Sequence, residues 1–318
     1  MARKLVTKMR NHSIDILRLV CAFLVILLHV GTAYYSYTEP IARSAVPLFY
    51  LLSVYFYSGG VKKNLRKTSW ILVAGSLLYA TVNYILDIEE VDNFPLLKSI
   101  VAFVLFNNNP FAYHLWYLAA YIYVLAGMIF IERYSLLRIS YWAIPLLLVM
   151  GILLGKYSES VLDNTYYSFL SRNFLFLGIP FFLTGHYIKQ HKEKLLQQSS
   201  KIYLGGVALF ASLSYAESGW LGGAEGDLYI STVFLSICAL LFTLSCHVKQ
   251  EGIMSRIGRK YSLHIYILHL FNIKLLSIFV SRMPDAWQVF YTFASPVVIL
   301  LATWCLIQLL RTFKLIKG

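Results

Sequence analysis

Long apolar runs alternate with short polar connections from one end of the chain to the other. Ten such runs recur, at roughly 12–36, 43–60, 67–87, 114–132, 138–155, 171–189, 201–218, 226–248, 259–281 and 286–311. About 20 apolar residues, at about 1.5 Å of rise each, cross the hydrocarbon of a bilayer, so these runs predict membrane-spanning helices. A spanning element has to satisfy its own backbone hydrogen bonds, which makes the helix the default. The run Leu96–Phe106 is too short to cross and predicts a re-entrant or interfacial piece. Asn107-Asn108-Asn109-Pro110 ends it, because the residue before proline avoids the helical region. The expected fold is all-α: a polytopic membrane helical bundle of about ten transmembrane helices, forming one domain over residues 1–318.

Charge orients this bundle. With the N-terminus in the cytoplasm, the cytoplasmic segments hold 21 Lys and Arg against three acidic residues, Glu132, Glu193 and Glu251. The outer segments hold four basic residues (Arg43, Lys98, Lys156, Arg282) against eleven acidic ones. Basic residues accumulate on the cytoplasmic side of inserted helices, and adding or dropping one span breaks the alternation. Both termini are therefore expected in the cytoplasm. The same distribution accounts for the net charge of +13 without a nucleic-acid partner. Composition agrees with a membrane protein: 58% hydrophobic and 14% charged residues leave too little polar surface for a soluble domain. The first run is too long for a signal-peptide core and lacks a small-residue cleavage site, so it reads as a retained first helix. Cys21, Cys238, Cys246 and Cys305 lie in or at the ends of apolar runs with no metal-type spacing. They read as packing residues, and no metal site is expected.

Ionisable groups inside spans are costly and mark bundle interiors or water-filled cavities. The first span carries three: Asp15, Arg18 and His29. Arg18 and His29 are eleven residues apart, three turns plus about 20°, so they share one helix face at about 16 Å separation. Asp15 precedes Arg18 by three residues and can pair with it. His114 and Trp116 begin the fourth span, and Arg172 and Asn173 the sixth, at the depth of His29 on the outer side. For His114 an interfacial ring, and for Arg172 a snorkelling side chain, are the competing readings. The loop VKKNLRK carries Lys63 and Arg66, either as a plain cytoplasmic basic loop or as a site for anionic phosphates. His264 and His269 of the ninth span point about 140° apart, so both cannot face one site. His269 is the deeper and faces the core, as a hydrogen-bonding or a site residue.

The residues at these positions resemble the acyltransferase-3 family of membrane acyltransferases. Arg18 and His29 in the first helix carry the resemblance, together with VPLFYLLSVYF (Val46 to Phe56) and the Lys63–Arg66 pair. HLWYL at His114, RNFLFLGIPFFLTG at Arg172 and GRKYSLHIYILH ending at His269 continue it in family order. HLWYL and the Arg172 stretch are also similar to the membrane half of vancomycin-resistance membrane serine racemases, whose racemase domain has no counterpart here. The resemblance implies transfer of an acyl group, usually acetyl, from cytoplasmic acyl-CoA to a hydroxyl of an extracytoplasmic carbohydrate or cell-wall polymer. It implies His29 as the acid/base or acyl-handling residue, Arg18 as its partner, and Lys63 and Arg66 as donor-side charges. Acyl-CoA enters as a substrate, not as a resident cofactor.

Elementary chemistry accommodates that layout. A hydroxyl attacking a thioester needs a base, and histidine can take the proton and return one to the leaving thiolate. A nearby guanidinium, Arg18 or Arg172, can stabilise negative charge on the tetrahedral intermediate. A transporter or flippase of serine or a glycan is the competing class, because a buried Arg and His line a permeation path equally well. A non-catalytic scaffold is the third.

Overall fold

The computed structural model describes residues 11–56, 61–86, 96–164, 166, 168–222 and 226–314. The expected cytoplasmic charges Arg3, Lys4, Lys8, Arg10 and Lys317, and the acidic run Asp87 to Asp92, lie outside the described residues. Among the described residues every regular element is helical. In chain order the α-helices are α1 (Ser13–His29), α2 (Tyr35–Ala42), α3 (Ala45–Phe56), α4 (Val61–Leu86), α5 (Leu96–Phe106), α6 (Trp116–Arg133), α7 (Leu137–Leu153) and α8 (Ser158–Leu162). They continue as α9 (Ser168–Ser171), α10 (Ile179–Gln190), α11 (Lys192–Leu195), α12 (Ser200–Leu221), α13 (Ile230–Ser245), α14 (Ile253–Val280) and α15 (Asp285–Thr312). A 3₁₀ turn, Tyr113–Leu115, leads into α6, and a π-helical turn, Phe174–Gly178, leads into α10.

Helices long and apolar enough to cross a bilayer are Val61–Ile85, Tyr113–Arg133, Ile253–Val280 and Asp285–Thr312. Shorter apolar helices include Leu137–Leu153, which packs on α10, and Ile230–Ser245, which packs on α12 and α3. The chain is thus an all-helical, multi-pass membrane protein. The first apolar run does not form one helix to residue 36. It ends at His29, where Val30 turns to extended backbone (φ −103°, ψ 122°) and Gly31 follows, and a separate α2 starts at Tyr35. A β-branched residue beside a glycine is a poor place to continue a helix. The eighth run likewise starts its helix at Ile230, leaving Asp227 in the preceding connection.

Helix α1 lies at the centre, packed on α2, α3, α13, α14 and α15. Its sequence explains this position. Leu17, Cys21 and Val25 form one i,i+4 stripe, buried in the main core with Leu48, Leu51 and Leu52 of α3. Leu19, Ala22, Ile26 and Val30 form a second, buried with Tyr261 and Ile265 of α14 and Ile299 of α15. Within lipid, packing rather than transfer from water drives helix association, so small residues gather where backbones touch. Gly258 of α14 is the clearest case: an ideal Cβ there collides with the backbone carbonyl of Asp15 on α1. Gly185 of α10 does the same for α3, where a Cβ would stand 2.6 Å from the carbonyl oxygen of Leu51.

Candidate active site

The abrupt end of α1 presents His29 to the α14 histidine and to the turn before α6. The His29 ring stands 5.1 Å from that of His269, edge-on, and stacks on Tyr113 at 5.6 Å. His269 in turn lies 5.4 Å from His114. His29 is half-buried, while His114 and His269 are 1% and 0% exposed. Each ring is held by a backbone carbonyl: His29 Nδ1 by Val25 at 2.7 Å, His269 Nδ1 by Tyr266 at 2.7 Å, and His114 Nε2 by Ile267 at 3.3 Å. Tyr79 packs edge-on to His114 at 4.8 Å, and the Tyr266 hydroxyl donates to the His114 carbonyl. Among the described residues no group of three His, Cys, Asp or Glu is placed to hold a metal ion, this trio included.

At the same end of α1 the connections build a charge network. Glu39 of α2 accepts Arg43 Nε at 2.6 Å and Lys156 Nζ at 3.1 Å on Oε1, and the Tyr229 hydroxyl at 2.9 Å on Oε2. Asp227 accepts Arg43 at 2.5 Å and both Nε and Nη2 of Arg172, at 2.5 and 2.9 Å. Lys156, Glu39, Arg43, Asp227 and Arg172 thus alternate in sign. Three cations meet two carboxylates, for a net charge of +1. Arg172, Arg43 and Asp227 lie within electrostatic reach of His29. Burial alone would push the Glu39 carboxyl up, but Arg43 and Lys156 hold it below the ordinary carboxylate range. Asp227 follows the same logic, burial opposing and Arg172 with Arg43 prevailing. Burial first, then Arg43, draw the Lys156 ammonium below its usual range against the pull of Glu39. A cavity of about 680 Å³ opens beside this network, lined by Tyr35, Glu39, Arg43, Lys156, Tyr215 and Tyr229.

Arg18 sits at the other end of α1. Its guanidinium lies 4.3 Å above the Phe56 ring, 3.9 Å from Asp15, and donates to the Arg259 carbonyl at 3.4 Å. It lines a cavity of about 220 Å³ whose wall includes Asn64 and Lys67 of α4, Tyr117 of α6 and Tyr266 of α14. Tyr266 joins the two regions: the ring that lines this cavity stands 5.8 Å from His114 and 6.2 Å from His269.

Of the residues singled out in the sequence, the structure brings His29, His114 and His269 together and pairs Asp15 with Arg18. Arg172 faces the connections and joins Asp227. Trp116 packs in the main apolar core. Asn173 spends its side chain on the backbone: its oxygen accepts from Leu175 and Phe176, and its amide donates to Leu170, capping the π-helical turn. Lys63, Arg66 and Lys67 are all exposed at the start of α4; of these Lys67, with Asn64, Thr68 and Ile71 in an i, i+3, i+4, i+7 stripe, lines the Arg18 cavity. In the charge pattern of the sequence, Glu39, Arg43, Lys156 and Asp227 stand out only as loop charges. The i,i+4 spacing of Glu39 and Arg43 is a local signal for that pair.

The sequence profile of the acyltransferase-3 family (Acyl_transf_3), described as an acyltransferase domain, matches residues 11–307. An amino-acid racemase of Enterococcus faecalis is 28% identical over 213 residues, covering 59% of this chain and 29% of that protein. The chain therefore aligns with less than a third of that relative's length. No solved structure matches it. The matched stretch takes in both ends of α1, the histidine trio and the charge network, and the chain belongs to the acyltransferase-3 family of acyltransferase domains.

Proposed function

We propose that this protein moves an acyl group, acetyl in the simplest case, from cytoplasmic acyl-CoA to a hydroxyl of an extracytoplasmic carbohydrate or cell-wall polymer. The chain then crosses a bacterial cytoplasmic membrane ten times, with both termini inside. The Arg18 end of α1 faces the donor and the His29 end faces the acceptor. One observation carries this reading: Tyr266 lines the Arg18 cavity and also touches the rings of His114 and His269, which adjoin His29.

In this scheme Lys67 and Asn64 meet the anionic part of the donor at the mouth of the cavity, with Lys63 and Arg66 adding to the positive field. The acyl group reaches towards Tyr266. An acceptor hydroxyl enters from the side of Glu39, Arg43 and Lys156. His29 takes its proton as the oxygen attacks the thioester carbonyl, and returns a proton to the departing thiolate, a contribution of about 10²–10⁴-fold. Val25 fixes the tautomer for this task, because its carbonyl holds the hydrogen on Nδ1 and leaves Nε2 as the base. Arg172 and Arg43 supply positive charge near the developing oxyanion.

The test is reconstitution in proteoliposomes with radiolabelled acetyl-CoA inside and a glycan acceptor outside. Label should appear on the acceptor, and His29→Ala should lower the rate at least about a hundredfold with binding of acetyl-CoA preserved. Full transfer by His29→Ala, or acceptor counterflow with no acetyl-CoA consumed, would sink the proposal.

A further inference from the structure

The charge network at the His29 end of α1 is one carboxylate short. Three cations share the carboxylates of Glu39 and Asp227, and the surplus charge sits in a largely buried cluster rather than in open solvent. Lys156 is its most enclosed cation, only 3% exposed. An ammonium brings three N–H donors. Among the described residues Lys156 spends one on Glu39 Oε1 at 3.1 Å. Its Nζ also stands 4.8 Å from the centre of the Tyr229 ring, a contact that attracts the charge but offers no acceptor oxygen. Glu217 does not make up the deficit. Its carboxylate accepts from the hydroxyl of Tyr157, the chain neighbour of Lys156, and from the backbone and hydroxyl of Ser231, and from none of the network's cations among the described residues.

Lys156, Arg43 and Glu39 line the cavity of about 680 Å³ described above, a size that admits a small ligand group. Tyr35 lines it as well. Its hydroxyl lies within electrostatic reach of Arg43, Glu39, Asp227 and Arg172 and makes no hydrogen bond among the described residues. A glycine fixes the wall. Gly226 has φ +117°, and an ideal Cβ there would stand 2.5 Å from the Lys156 backbone nitrogen, so the connection carrying Asp227 is pressed against the one carrying Lys156. An enclosed charge without its complement is costly, and so is an enclosed donor without an acceptor. A neutral hydroxyl or a thioester answers the second deficit only. A phosphate or carboxylate answers both, through charge-assisted bonds about twice as strong as neutral ones.

We infer that this cavity is an anion-binding subsite, which takes a phosphate or carboxylate group carried by the acceptor. Lys156 is its main ligand and the Tyr35 hydroxyl a second donor, with Arg43 adding to the positive field. The acceptor is thus an anionic molecule or polymer whose charged group flanks the hydroxyl to be acylated. Anion binding stands by itself; its assignment to the acceptor rests on the acyl-transfer reading above. The site adjoins the proposed base, since Arg43 and Asp227 of the same network lie within electrostatic reach of His29. The bound anion undergoes no chemistry. It selects which molecule, and which of its hydroxyls, is presented to His29.

The binding test melts the full chain in dodecyl maltoside at pH 7, with ionic strength held constant by sodium chloride. Inorganic phosphate or acetate should raise the apparent Tm saturably, and the one acting at lower concentration names the group. Lys156→Gln should abolish the increment, and Lys156→Arg, which keeps the charge, should retain it. Tyr35→Phe leaves every bond of the network in place and should weaken the apparent affinity about tenfold, the worth of a hydrogen bond to a charged group. No increment in the parent would overturn the subsite. So would an equal increment in Lys156→Gln, which is what general exclusion of the salt from protein surface produces, or, should that variant not fold, an unchanged affinity in Tyr35→Phe. The increment should persist in phosphatidylglycerol nanodiscs; its suppression there would give the site to a lipid headgroup and overturn the assignment to the acceptor. In transfer from radiolabelled acetyl-CoA, glycerol 1-phosphate should exceed glycerol in kcat/KM by about tenfold in the parent and by little in Lys156→Gln. Equal rates with anion binding intact would likewise overturn that assignment. Should no acceptor be acylated, the acyl-transfer reading fails, and the melting experiment alone decides the anion site.

Discussion

Removing the Asp227 charge tests the network at its centre. Asp227 holds Arg43 at 2.5 Å and Arg172 through two bonds at 2.5 and 2.9 Å, with its side chain only 12% exposed. Asp227→Asn keeps the shape but leaves three cations against Glu39 alone. Removing one partner of a buried pair costs about 3–5 kcal/mol. Arg43 and Arg172 are 16% and 25% exposed, so solvent recovers part of this, and about 2–4 kcal/mol remains. In a chain of this size that corresponds to a fall of roughly 3–6 °C in apparent Tm. The assay is tryptophan-fluorescence melting of the purified protein in one detergent at pH 7 and one scan rate. Arg172→Gln should cost less, because it removes a cation from a network with a cation in excess. Combining it with Asp227→Asn should recover part of the single-mutant loss, since the remaining charge returns to +1. An Asp227→Asn protein melting within about 1 °C of the parent, or a double variant at the sum of the two losses, would refute the reasoning.

Three further outcomes are expected. Gly258→Val should separate α14 from α1 and cost several °C of apparent Tm, because its Cβ meets the Asp15 carbonyl; an unchanged melt would contradict the close approach. Lys67→Ala should raise KM for the proposed acyl-CoA donor by about tenfold, the worth of a hydrogen bond to a charged group, while Lys63→Ala changes it little; the reverse order in initial-rate kinetics would move the donor away from the Arg18 cavity. Glu39 and Asp227 are both held below the ordinary carboxylate range, so their contribution is complete above the unfolded value of about 4 and is lost only as pH falls through the lower folded values. Melting curves should therefore be insensitive to this network from pH 8 to 5. A loss of Tm in that window that vanishes in Glu39→Gln would show the sign to be wrong.

Periodicity made the helices legible, since each apolar run holds one and the proline after Asn109 marks where α5 has to end. Angles along a single helix were legible too: His264 and His269 diverge, and it is His269 that meets His29. Contacts across helices were not. His29, His114 and His269 lie in separate thirds of the chain, and which helix faces which depends on close approaches such as Gly258 on Asp15, where a glycine reads the same whether or not a backbone presses on it. The charge network was hidden for a different reason. Counting loop charges treats them as a solvated field, whereas here Glu39 and Asp227 are bonded to partners up to 190 residues away. Yet the count itself held a pointer. The basic residues that depart from the predicted inside-positive pattern number four, Arg43, Lys98, Lys156 and Arg282, and two of them are members of the network. A cation on the side where cations are scarce needs a local reason to be there. Here the reason is a buried carboxylate beside the histidines, so the exceptions to a topological rule locate chemistry that the rule itself does not describe.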